Sequence, residues 1–185
     1  AECSVGLTFP PLNRGPLIDV ISRERFMNTG TAEPAPAGTS EVSALRVVSC
    51  GRPLPGHQIR ILDSTGSEVG DRVEGRLEFK GPSATTGYFR NPEQTRKLFH
   101  GDWLDSGDFA YIANSEVYIT GRVKDLIIRG GRNIYPYDLE QAVGDIPGIR
   151  KGCVAVFGSP DPVGGTERLV VLAETRETEK QARER

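Results

Sequence analysis

Apolar and polar residues alternate over Gln58-Ile59-Arg60-Ile61-Leu62-Asp63, which puts Ile59 and Ile61 on one face of an extended strand. Glu74–Lys80 repeats the device with Leu77 and Phe79, and turn signals at Asp63–Gly66 and Gly81-Pro82 punctuate the two runs. Further strand runs lie at Leu45–Cys50, Phe109–Ile112 and Glu116–Thr120, the last two joined by a hairpin turn at Ala113-Asn114-Ser115. Between them, Asn91 followed by Pro92 opens a short helix over Pro92–Phe99. The period changes in Pro136–Ile146, where Leu139, Ala142, Val143 and Ile146 fall at i, i+3, i+4 and i+7 of an amphipathic helix. Apolar β runs follow at Lys151–Phe157 and Leu169–Ala173. The pattern predicts an α+β chain: a small, mainly antiparallel β subdomain over 46–121, then a second α+β unit. Residues 1–45 show little periodicity and predict a long loop or insertion, broken by a short helix at Ser22–Met27.

Composition narrows the classes. The chain has 185 residues and a net charge of −2, with 26% charged and 37% hydrophobic residues, so collagen-like, wholly disordered and strongly basic readings drop out. No apolar run approaches the roughly 18 residues of a membrane span. Ala1-Glu2-Cys3-Ser4 has no basic region leading into an apolar stretch, so no secretory signal is expected. Cys3, Cys50 and Cys153 with His57 and His100 make no zinc-binding spacing, and free thiols predict a reducing cytoplasmic setting. Trp103 is the single tryptophan and is expected in the core, so base stacking and a nucleic-acid partner have no support.

Candidate chemistry gathers in two places. Gly101–Lys124 carries Asp102, Asp105, Asp108, Arg122 and Lys124 around the predicted hairpin. A carboxylate beside a glycine, as in Ser106-Gly107-Asp108, can approach a sugar and accept two hydroxyl hydrogen bonds, and Arg122 offers a fixed fork for phosphate or ribose oxygens. Spacing alone favours turn residues or a surface ion pair. Lys124, Arg129 and Arg132 flank Gly130-Gly131 before a helix, a basic glycine loop that could favour an anion but lacks the pattern of a phosphate-cradling P-loop, so that spacing alone favours a solvated turn.

The order of motifs carries more than any one of them. Gly75-Arg76-Leu77-Glu78-Phe79-Lys80-Gly81-Pro82, then Gly87-Tyr88 with Pro92-Glu93-Gln94-Thr95, then Gly101-Asp102-Trp103-Leu104-Asp105-Ser106-Gly107-Asp108, then Tyr118-Ile119-Thr120-Gly121-Arg122-Val123-Lys124-Asp125, closely resemble consecutive motifs of the adenylate-forming enzymes. These include acyl-CoA synthetases, nonribosomal adenylation domains and luciferase. Val48–Gly56, Ile127–Glu140 and the insertion-like segment 11–45 resemble the fatty acyl-AMP ligase branch, with Ile134 standing where that branch often has histidine.

The resemblance implies a fragment of a longer ligase: the end of an N-terminal domain (1–45 and 46–121), a hinge at 122–124, and the first part of a C-terminal lid domain over 125–185. It further implies that Asp108 binds both ribose hydroxyls of ATP and that Arg122 contacts ribose and phosphate. Lys124 would be the hinge residue, and Gly130 and Gly131 would lie on the face that meets the acceptor thiol. Glu2 would help hold Mg²⁺, while a catalytic lysine is expected beyond residue 185. The implied activity is ATP-dependent formation of a fatty acyl-adenylate, handed to an acyl carrier protein. The alternatives are a fatty acyl-CoA synthetase using CoA, and an isolated module without turnover that self-associates through surfaces a missing domain would cover.

Overall fold

The computed structural model describes residues 2–4, 6–129, 132–161 and 166–176. The chain divides into two compact units, Ala1–Val123 and Lys124–Arg185. In the first lie β1 (Thr8–Phe9), β2 (Ile18–Ser22), α1 (Arg23–Thr29), β3 (Ala44–Val48), β4 (Arg52–Pro53), β5 (Gln58–Leu62), β6 (Gly75–Lys80), α2 (Pro92–Leu98), β7 (Phe99–His100), β8 (Trp103–Ala113) and β9 (Glu116–Arg122). A 3₁₀ turn at Val123–Asp125 spans the boundary with the second unit.

Its centre is an antiparallel sheet in the order β5-β6-β8-β7, with β9 also paired to β8. The alternation read from the sequence sorts its two faces. Ile61, Leu77, Phe79, Leu98, Leu104, Ala110 and Val117 form one buried apolar cluster. The opposite face carries Arg60, Glu78 and Trp103, where Glu78 is buried beneath Arg60 and His100: Arg60 donates from Nε and Nη2 at 2.9 and 2.6 Å, and His100 Nδ1 bonds the other carboxylate oxygen. Trp103 departs from the expected core position. It sits half-buried on this charged face, with Arg60 4.4 Å and Lys80 4.6 Å from its ring centroid, because the side-chain period of two places it beside Lys80 and away from Leu104.

The predicted hairpin joins β8 to β9 through Asn114 and Ser115, both at positive φ, the conformation whose twist suits a two-residue turn. Asn91 caps α2, its side chain accepting from the Gln94 amide at 3.2 Å, with Pro92 in the first turn. Segment 1–45 carries the short helix expected near Ser22–Met27 as α1, but is otherwise more ordered than the loop expected. β2 pairs with β3, α1 begins on a Ser22 cap, and Ile21, Phe26, Ala32 and Ala44 are buried. Phe26 meets Tyr111 edge to face at 6.3 Å, and Tyr111 stacks on its cross-strand partner Tyr118 at 4.9 Å. Asp19 accepts from the Tyr111 hydroxyl at 2.9 Å and from Arg72 at 3.0 Å. Scattered single anchors of this kind leave no periodic signature, so the sequence pattern does not reveal them.

Glu116, at the start of β9, is also buried. Arg14 donates to both of its oxygens at 2.6 and 2.9 Å, and the Ser49 hydroxyl adds a third bond. These hydrogen bonds, Arg14 first, hold the carboxyl down at about 2.

The second unit contains β10 (Ile127–Arg129), β11 (Arg132–Ile134), α3 (Pro136–Gly144), β12 (Ile149–Asp161) and β13 (Thr166–Thr175). β12 and β13 form a long antiparallel hairpin, and Glu140 of α3 accepts from the Val156 amide at 3.0 Å. The helix stops two residues short of the expected Ile146, which lies beyond it and is exposed, so the apolar face reduces to Leu139 and Val143. Among the described residues of this unit only Ile127 and Val156 are fully buried apolar side chains, whereas Phe157 and Leu172 are exposed. No described helix is long and apolar enough to cross a membrane.

Two outcomes follow. Glu116 has a folded pKa below its ordinary 4.5, so its contribution is present above that value and is lost as pH falls from about 4.5 toward 2. Denaturant midpoints of the chain will therefore drop across this window, and Glu116→Gln will lose less over the same interval. In hydrogen exchange, amides of β12 and β13 will exchange sooner than those of β6 and β8, because few apolar contacts cover the hairpin. Equal protection of the two sheets would contradict this.

Candidate active site

β8 is hydrogen-bonded along both edges, and its two ladders impose the site. Against β6, Glu78 pairs with Asp105 and Arg76 with Phe109, so Ser106, Gly107 and Asp108 stand opposite the single residue Leu77. The surplus is accommodated as a bulge, the device by which strands re-aim side chains. Gly107 adopts φ +75°, a left-handed conformation that glycine takes without strain, and an added Cβ would meet nothing, so backbone conformation rather than space calls for glycine. Against β9, Asp108 pairs with Arg122, and Thr120 is left over before the register resumes at Ala110 and Ile119.

The result sets two of the predicted residues side by side. Arg122 Nε lies 3.7 Å from Asp108 Oδ1, with the carboxylate partly sheltered and the guanidinium largely in solvent. Burial pushes the Asp108 carboxyl above its ordinary value; Arg122 and a Ser106 hydrogen bond oppose the rise, while the nearby charges of Glu2 and Asp105 add to it. The Asp108 amide donates to Ser106 Oγ at 3.1 Å, and the Gly107 amide to Asp105 Oδ1 at 2.9 Å.

Glu2 reaches the same neighbourhood through backbone pairing. The Thr85 amide donates to the Glu2 carbonyl at 2.9 Å, the Ser4 amide to the Ser83 carbonyl at 3.1 Å, and Cys3 bridges to Ala84. The Glu2 carboxylate accepts from the Tyr88 hydroxyl at 2.6 Å, a bond that raises the phenol's pKa. Tyr88 carries no chemical signal in the sequence beyond following a glycine. Gly87 is needed because a Cβ would lie 2.6 Å from the Thr95 methyl, and Thr95 Oγ1 accepts the Tyr88 amide at 2.9 Å. A groove of about 510 Å³ runs along Thr86–Pro92 and Thr95, with Tyr88 in its wall.

Other expected residues fall elsewhere. Asp102 is exposed in the turn between β7 and β8, and Lys124 is exposed at the first position of the second unit. Gly130 and Gly131, assigned by resemblance to the acceptor-thiol face, lie outside the described residues. Among the described residues no group of three or more His, Cys, Asp or Glu side chains could hold a metal ion.

No family model matches the chain. It is 35% identical over 187 aligned positions to the long-chain-fatty-acid–AMP ligase FadD26 of Mycobacterium tuberculosis, an alignment covering 94% of this chain and 30% of that protein. It is 36% identical over 150 residues to a 2-succinylbenzoate–CoA ligase of Enterococcus faecalis, covering 80% of this chain and 30% of the relative. Among solved structures, one from a study of fatty acyl-adenylate ligases of E. coli and L. pneumophila superposes with a TM-score of 0.84 at 31% identity, over 96% of this chain and 31% of that one. The chain thus spans about 30% of the length of these relatives. Near-complete coverage by sequence and by fold agrees with the order of motifs, and the chain belongs to the superfamily of adenylate-forming enzymes.

Proposed function

We propose that the chain forms the ribose-binding side of an ATP-dependent ligase that activates a fatty acid as its acyl-adenylate and delivers the acyl group to an acyl carrier protein. The observation that carries this reading is the Asp108 carboxylate, set on a bulge 3.7 Å from Arg122. A carboxylate has two oxygens to accept two vicinal ribose hydroxyls, and hydrogen bonds to a charged acceptor are the strong ones. In the first half-reaction a fatty-acid carboxylate oxygen bonds to the α-phosphorus of ATP as the bond to the bridging oxygen breaks and pyrophosphate leaves. In the second, a thiolate attacks the acyl carbon and AMP departs with the electron pair. Negative charge builds on phosphate oxygens in the first step, and Arg122, beside the Asp108 carboxylate, would meet it.

Mg²⁺ is usually held by one or two carboxylates with substrate phosphates and water completing the shell, and Glu2, close enough to Asp108 for its charge to be felt there, would supply one of them. When bound, the ion neutralises phosphate charge; Glu2 would hold it, with the Tyr88 hydroxyl fixing the carboxylate's orientation. Lys124 begins the second unit within the 3₁₀ turn Val123–Asp125, which supports its reading as the hinge between the two half-reactions. The three free cysteines suit a reducing, cytoplasmic compartment.

The carrier-protein acceptor is favoured by the likeness to a fatty-acid–AMP ligase and by the packed segment of β2, α1 and β3, which stands where the resemblance puts the insertion of that branch. The likeness to 2-succinylbenzoate–CoA ligase supports the second reading, with CoA as acceptor. CoA-dependent release of AMP would decide for the latter.

Titration of the chain with AMP, followed by amide shifts of Gly107, Asp108 and Arg122, tests the ribose assignment. Asp108→Ala is expected to weaken binding roughly 10- to 100-fold, the worth of about 1.5–3 kcal/mol for hydrogen bonds to a charged group. Undiminished binding by the variant would refute the role of Asp108.

A further inference from the structure

We propose that Asp105, braced by Arg76, is a positioning residue for Asp108, an inference that rests on the ribose-binding reading of Asp108. A bulge of three residues against one leaves backbone groups without ladder partners, and such groups must find other acceptors. Asp105 and Ser106 supply them locally: Asp105 Oδ1 takes the Gly107 amide at 2.9 Å, and Ser106 Oγ takes the Asp108 amide at 3.1 Å. The first of these bonds closes a turn over the left-handed Gly107 and thereby sets the direction in which the chain enters Asp108.

The second Asp105 oxygen is held from the neighbouring strand. Arg76 Nη2 donates to Oδ2, and the Asp105 side chain is only 12% exposed, against 44% for Arg76. Arg76 is also the β6 residue at which the β6–β8 ladder resumes, opposite Phe109. Asp105 thus ties the bulge to the strand that fixes both of its ends. A carboxylate is required for both ties at once. An asparagine keeps an oxygen for the Gly107 amide but can turn a donor toward Arg76, so Asp105→Asn retains the turn and loses the brace, whereas Asp105→Ala loses both.

The test compares AMP with 2′,3′-dideoxy-AMP on the 185-residue chain, since only a correctly aimed Asp108 distinguishes them. The wild-type chain is expected to prefer AMP at least about tenfold. Asp105→Ala should lower that preference to within about twofold, and Asp105→Asn should restore part of it. Amide shifts of Leu77 and Val117 report whether the sheet is intact. Should the alanine variant not fold, Arg76→Gln serves instead, with a partial loss of preference expected. Full ribose preference in Asp105→Ala, or in a folded Arg76→Gln, would overturn the inference while leaving the role of Asp108 standing. Absence of any preference in the wild-type chain would instead overturn the ribose reading and this inference with it.

Discussion

A strand bonded on both edges cannot change register freely, and β8 has to satisfy β6 on one side and β7 then β9 on the other. Two consequences follow from that constraint. The ladder with β6 discards Ser106, Gly107 and Asp108, and the ladder with β9 discards Thr120. The first irregularity places Asp108 outside regular pleating while its backbone still pairs with Arg122. An uninterrupted ladder would send residues 106–108 alternately into the apolar cluster and onto the charged face. A carboxylate set apart on a strand that otherwise builds the core therefore needs the bulge, and the bulge needs the glycine and the side-chain acceptors around it.

The sheet is held from its polar side as much as from its apolar one. Glu78 and Glu116 are both buried, and each is met by an arginine plus a second donor, His100 in one case and the Ser49 hydroxyl in the other. A buried carboxylate without such partners would be driven to its neutral form, because taking a charge out of water costs several kcal/mol. Arg14 approaches from the segment before β2, and Arg60 from β5. The polar contacts thus link parts of the chain far apart in sequence: 102 residues separate Arg14 from Glu116. Together with the Asp19, Arg72 and Tyr111 cluster, they explain how segment 11–45 is fastened with so few apolar residues.

Period-two alternation made the central strands legible, since one face of each is buried and the other wet. Asn91-Pro92 announced its helix, and Asn114-Ser115 its hairpin, through local chemistry alone. Asp108 and Arg122 stand out as a proposed ribose-side pair only through the order of motifs, because a spacing of fourteen alone favours turn residues or a surface ion pair. β2 was missed, for it is stabilised by pairing with β3 across more than twenty residues rather than by its own pattern. Asp105 stands among the candidate residues and Tyr88 within a motif, but what each holds is not legible in the sequence: the Gly107 amide in one case and Glu2 in the other.

The two units also differ in what local sequence can achieve by itself. In the first, seven buried residues from four strands and a helix converge on one cluster, so each strand's apolar face is matched by another's. In the second, the β12–β13 hairpin is long and well registered from Val154 to Asp161, yet Val156 is buried while its cross-strand neighbour Val171 is 42% exposed. Regular backbone pairing has outrun side-chain coverage there, because a two-stranded sheet with one short helix can shield only part of its surface. Hydrogen bonding sets the course of these strands, but the energy that fixes a sheet comes from covering its faces. The first unit therefore supplies the covered frame on which the carboxylate proposed to bind ribose stands.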